Sequence, residues 1–119
     1  DILVIFWYNK KKRRIKMLEI TKESFKSQVE EHDGLVVIDL YADWCGPCRM
    51  LAPILASLEE EYTDVKFCKI NVDNEPELAK EFNVSSIPMV ALVKNNEFVD
   101  LSVGLVPKNT LRALIEVNK

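Results

Sequence analysis

At 119 residues the chain has room for one domain with a real core, but not for two. Apolar residues at 48% and charged residues at 29% are ordinary for a soluble globular protein. Residues 1–16 hold six Lys/Arg against one acid (+5) and residues 17–119 hold ten against eighteen (−8), so the body of the chain is acidic and is not expected to bind nucleic acid.

The chain opens on an unbroken apolar run, Ile2 to Tyr8, followed by the basic Lys10-Lys11-Lys12-Arg13-Arg14. Seven apolar residues cannot span a bilayer, and a signal peptide carries its basic residues ahead of its apolar stretch. Two readings stay open. The pattern resembles the cytoplasmic end of a membrane anchor, or it is foreign to the native protein, whose natural start would be Met17. The second is favoured, so residues 1–16 are read as a non-native or tether-like N-terminal extension, residues 17–119 as the domain, and no membrane partner is expected. Uncharged, free of proline and rich in β-prone side chains, residues 2–8 are expected to pack on an apolar surface or a sheet edge, of their own domain or of a neighbour.

Within the domain, strand and helix signals alternate. Met17 to Ile20 reads as a short strand, and Thr21 as the N-cap of a helix over Lys22 to Glu31 that ends at Asp33-Gly34. Leu35 to Tyr41 is a continuous apolar, β-prone run interrupted only by Asp39, as expected of a strand buried on both faces. Trp44 to Tyr62 has apolar residues at helical spacing, with Pro53 in its interior. A strand over Val65 to Val72 and a short helix over Glu75 to Phe82, with Pro76 in its first turn, come next. Met89 to Lys94 and Glu97 to Val103 pair as a hairpin across Asn95-Asn96, and Pro107 opens a last helix to Val117. The order β-α-β-α-β-α-β-β-α predicts an α/β fold, a central mixed sheet with helices on both faces.

Trp44-Cys45-Gly46-Pro47-Cys48 falls where the central strand ends and a helix begins. Unpaired backbone N–H groups and the positive end of the helix dipole stabilise a thiolate there. Two cysteines three positions apart can close a disulfide within one helical turn, so the pair can cycle between dithiol and disulfide. A zinc site would need four ligands, and beyond this pair the chain offers only Cys68 and His32, so no metal is expected. A purely structural bridge over so short a loop removes little unfolded-state entropy. With two of the three cysteines in the motif there is no disulfide framework, which suits a reducing cytosol better than a secreted setting. A buried acid behind a thiol also argues against a binding module with incidental cysteines. The pair reads as a redox site.

Asp39 on the strand, the Trp44 to Cys48 motif, Ile87-Pro88 and Gly104 after the last strand occur together and in this order. In these features the chain resembles the thioredoxin family, from Met17 to Lys119. The resemblance implies the thioredoxin fold and a protein disulfide reductase that works by dithiol–disulfide exchange. Cys45, at the helix N-terminus and the more exposed of the pair, would attack, and Cys48 would resolve the mixed disulfide. Gly46 and Pro47 would tune the pair, with proline there resembling the reducing members. Asp39, its pKa raised by burial, would take the proton of Cys48, with Lys69 on the next strand tuning it. Trp44, Ile87, a cis Pro88 and Gly104 would form the substrate-docking surface. No bound cofactor is implied. The partners implied are oxidised protein substrates and an NADPH-dependent flavoprotein thioredoxin reductase, in the cytoplasm. Tyr41, where many members have Trp, and Met89, where Thr is usual, depart from the common bacterial pattern. Cys68 is expected to be a buried hydrophobe, and His32 to offset a helix dipole.

Overall fold

A computed structural model describes residues 1–5 and 17–119. Five strands form one sheet: β1 (Leu18–Glu19), β2 (Leu35–Tyr41), β3 (Lys66–Asn71), β4 (Met89–Lys94) and β5 (Glu97–Val103). Their order in space is β1-β3-β2-β4-β5. β1 and β2 both run parallel to β3, whereas β4 is antiparallel to β2 and β5, giving the mixed sheet expected.

Four helices flank it: α1 (Lys22–Phe25), α2 (Gly46–Glu61), α3 (Pro76–Glu81) and α4 (Lys108–Asn118). The alternation of β2 shows how they divide. Leu35 and Val37 turn to one face, where they pack with Leu51, Leu55 and Leu58 of α2 and Leu111 and Ile115 of α4. Val36, Ile38 and Leu40 turn to the other, against Val29 after α1, Leu78 of α3 and Cys68 of β3. Two cores therefore sandwich β2, which is why its sequence is apolar on both faces.

Local chemistry sets the ends of these elements. Thr21 caps α1 reciprocally with Ser24: each backbone N–H donates to the other's hydroxyl, at 2.9 and 3.3 Å. The helix expected over Lys22 to Glu31 is not uniform. After Phe25 it widens into a π-helical turn over Lys26–Glu30, with Glu31 N–H donating to the Lys26 carbonyl at 2.9 Å. Asn95 and Asn96 both adopt positive φ, +51° and +64°, so the hairpin turn forms where the sequence predicts it. Pro53 lies within α2 and removes the bond that would run to the Arg49 carbonyl, yet the helix continues to Glu61.

The expectation that residues 2–8 pack on their own domain is not met where they are described. Residues 2–5 form a helical turn and are exposed, packed on no sheet edge. A strand needs a partner, whereas this turn closes on itself: Asp1 accepts from Leu3 N–H through its carboxylate at 3.0 Å and from Ile5 N–H through its carbonyl at 3.2 Å. Residues 6–8 and the basic run after them lie outside the described residues. Among the described residues no helix is long and apolar enough to cross a membrane.

Candidate active site

β2 ends at Tyr41, and the chain crosses Ala42, Asp43 and Trp44 before α2 begins at Gly46. The helix expected from Trp44 thus starts two residues later, with Cys45 as its N-cap in extended backbone. Cys48 N–H donates to Cys45 Sγ at 3.2 Å. This is one of the first-turn amides without a partner inside the helix, and it is already aimed at the sulfur that would carry charge. Pro47 costs nothing in that turn, where its missing N–H would have had no helical acceptor.

Cys45 and Cys48 are joined through their Sγ atoms, with Cα atoms 5.2 Å apart, inside the usual span of a disulfide. The expected difference in exposure is absent, since Cys45 is 4% and Cys48 3% exposed. Both pack with Ala42 under Tyr41, Val72 and Ile87, so each is covered alike in the disulfide form. What distinguishes them is the cap. Only Cys45 receives a helix amide.

The Ile87-Pro88 peptide is cis, with Ile87 half-buried against the pair and Pro88 buried behind it. Gly104 N–H donates to the Pro88 carbonyl at 2.8 Å, which carries the β4–β5 ladder past Met89 and Val103 to Pro88, next in the chain to Ile87. Gly104 has φ +89° and a Cβ added there would meet nothing within 4 Å, so backbone conformation, not space, asks for glycine. Trp44 is 70% exposed beside Cys45, with its indole Nε1 donating to Asp73 Oδ2 at 2.9 Å. Asp73 was not foreseen from the sequence. The signal was available in the parallel pairing of Tyr41 with Asn71, which brings the residues after β2 and after β3 to the same end of the sheet.

Behind the disulfide, Asp39 is 4% exposed and its Oδ1 has no hydrogen-bond partner. It borders a cleft of ≈ 690 Å³ lined also by Met17, Leu18, Glu19, Lys69, Ala52 and Ala56. Ala52 and Ala56 follow Cys48 at i+4 spacing, so one side of α2 presents the second cysteine and then two small residues over this cleft. Burial pushes the Asp39 carboxyl up from 3.8 to about 7, against the opposing pull of Lys69, with Glu19 adding to the rise. A solvent-facing Asp39 is ruled out. Cys68 is a free cysteine, wholly buried in the second core, and burial pushes its thiol up to about 12, as befits a small hydrophobe. His32 lies after the π-helical turn and takes no part in the site.

Comparisons with known proteins agree with this geometry. The thioredoxin family model matches residues 16–117. A thioredoxin of Porphyra purpurea is 42% identical over 98 residues, covering 82% of this chain and 92% of its own length. One of Chlamydia caviae is 46% identical over 96 residues, covering 81% and 92%. Among solved structures, a mutant thioredoxin from Halobacterium salinarum NRC-1 superposes with a TM-score of 0.80 at 34% identity, covering 88% of this chain and 92% of its own. Oxidised mitochondrial thioredoxin 3 from Saccharomyces cerevisiae gives 0.78 at 33% identity, covering 85% and 94%. With the redox pair capping a helix beside a cis-proline, and these relatives over most of its length, the chain belongs to the thioredoxin family and is a thiol–disulfide oxidoreductase that reduces protein disulfides by exchange through Cys45 and Cys48.

Proposed function

We propose that the chain is a cytoplasmic protein disulfide reductant in which Cys45 attacks, Cys48 resolves and Asp39 takes the proton of Cys48. The Cys45 thiolate attacks one sulfur of a substrate disulfide, forming a mixed disulfide and releasing the other substrate sulfur as a thiolate. Cys48 gives its proton to Asp39, directly or through one water, and attacks Cys45 Sγ. The second substrate thiolate leaves, and the two electrons it carries away are balanced by the new Cys45–Cys48 bond. All the electrons come from the two thiols, so no bound cofactor is needed. An NADPH-dependent flavoprotein reductase would restore the dithiol.

The observation that carries the assignment is the Cys48 N–H aimed at Cys45 Sγ, since it stabilises charge on one sulfur of the pair and not the other. Lys69, opposite Asp39 in the β3 register, favours the carboxylate and so tunes the proton acceptor. Ile87, which packs on the pair, would dock the substrate backbone together with Pro88, Gly104 and the exposed Trp44, with Gly46 and Pro47 shaping the turn between the cysteines. Met17 marks the start of this domain, and residues 1–16 are outside its chemistry.

Dithiothreitol-driven reduction of insulin tests the reading. The wild type accelerates precipitation of the insulin B chain, and Cys45→Ser abolishes the acceleration. An active Cys45→Ser variant would overturn the assignment of the attacking thiol.

A further inference from the structure

Three side chains from three strands form one row across the sheet. Glu19 of β1 is in register with Lys69 of β3, and Lys69 is in register with Asp39 of β2. Lys69 therefore stands between two carboxylates. Asp39 and Tyr41, two residues apart on β2, point to the same face. The Tyr41 hydroxyl donates to Glu19 Oε1 at 2.6 Å, and the Lys69 ammonium lies over the Tyr41 ring, 5.4 Å from its centroid. Among the described residues no carboxylate is within ion-pair distance of Lys69.

We propose that Glu19, held in place by Tyr41, is a positioning residue of the redox reaction, and that it sets how readily Asp39 accepts the proton of Cys48. The tyrosine does two jobs. Its face carries the ammonium, and its hydroxyl fixes a second carboxylate in the row that holds Asp39. Asp39 thus shares its cleft with a fixed negative charge as well as with the Lys69 cation. Burial and the adjoining Glu19 carboxylate push the Tyr41 hydroxyl up, so it remains a donor at every pH where the protein works.

The charged and titratable neighbours of Asp39 come from each element around it. β1 supplies Glu19 and β3 supplies Lys69, while β4 places the apolar Val90 opposite. β2 itself adds Tyr41. α2 supplies Cys48 and then the uncharged Ala52 and Ala56, whereas Glu59 borders a separate pocket with Tyr62, Val65 and Lys66. Among the described residues, Glu19 is therefore the carboxylate that shares this cleft with Asp39.

The inference rests on Asp39 as the proton acceptor, and the experiment separates the two. Carbon-13 NMR of the Asp39 carboxyl in the oxidised protein gives its titration midpoint with no titrating thiol in the redox pair. Glu19→Gln should lower that midpoint by roughly half a pH unit, the size of one partly screened charge. Tyr41→Phe frees the exposed Glu19 to turn to solvent and should lower it less. The double variant should match Glu19→Gln alone, because Tyr41 acts through Glu19. Glu97→Gln, which removes a carboxylate at the far edge of the sheet, should leave it in place. In the resolving step, followed as release of substrate from a Cys45 mixed disulfide, the pH profile should move with the NMR midpoint.

An unmoved midpoint in Glu19→Gln, an equal shift in Glu97→Gln, or an added shift in the double variant would overturn the inference. A moved midpoint with an unmoved pH profile would leave Glu19 acting on Asp39 but overturn Asp39 as the acceptor, and with it the claim that Glu19 positions the reaction.

Discussion

Asp39 keeps a proton in the folded protein that the unfolded chain has already released. Its carboxyl titrates at about 7 in the fold and at 3.8 when solvated, so folding is most favourable below 3.8 and loses ground as pH rises to 7. Above 7 the penalty is complete. Asp39→Asn should therefore match the wild type in stability below about pH 4 and exceed it by roughly 2–4 kcal/mol at pH 8. Urea unfolding at the two pH values measures the difference, and an equal gain at both would assign it to packing rather than ionisation. The same variant should slow exchange most between about pH 7 and 8.5, where Asp39 is ionised and a thiol such as Cys48 still needs an acceptor. On the order of 10²-fold is the expected loss in the resolving step there. The burial of Asp39 was legible in the sequence because every neighbour from Val36 to Leu40 is apolar. Its ties to Glu19 and Tyr41 were not, since they depend on the register of β1 against β3, which a two-residue strand does not announce.

At the scale of elements, what turn and cap chemistry dictates locally could be read in advance. The Asn95-Asn96 turn, the Thr21 cap and the strand–helix junction at Cys45 all rest on a few adjacent residues. Asn96→Ala should cost about 1 kcal/mol because a Cβ with no local polar partner disfavours φ +64°, and Asn96→Gly should cost nothing or stabilise slightly. Thermal unfolding of the two variants checks this, and an alanine as stable as the glycine would show that the turn relaxes. The π-helical turn after α1 escaped the sequence, because the apolar spacing of Phe25 and Val29 is the same one an α-helix gives. The helical turn at residues 2–5 escaped for another reason. Composition gave those side chains β-propensity, but propensity without a partner strand is weaker than one local cap from Asp1.

The whole molecule is a redox pair mounted at one end of a sheet whose two faces are both covered. The mixed order β1-β3-β2-β4-β5 puts β2 in the centre, so the Cys45 N-cap, Ile87-Pro88 and Asp73 converge from three separate connections. The fold and the core of the site were readable because alternating periods define layers, and the family resemblance supplied the cis-proline. Equal burial of the two cysteines was not readable, because the cover comes from Ile87 and Val72, distant in sequence. Removing residues 1–16 should leave insulin reduction unchanged within about twofold, since that stretch holds no cysteine to take part in disulfide exchange. A folded truncation that has lost activity would move the domain boundary ahead of Met17.

The most direct measurement traps the mixed disulfide. Cys45→Ser and Cys48→Ser variants are mixed with a disulfide substrate, quenched in acid, and mapped by mass spectrometry of proteolytic peptides. Substrate should accumulate on Cys45 of the Cys48→Ser variant, because the residue that would release it is gone, and none should accumulate in Cys45→Ser. A stable adduct on Cys48 of Cys45→Ser, with Cys48→Ser left unmodified, would contradict the assignment of the attacking and resolving thiols.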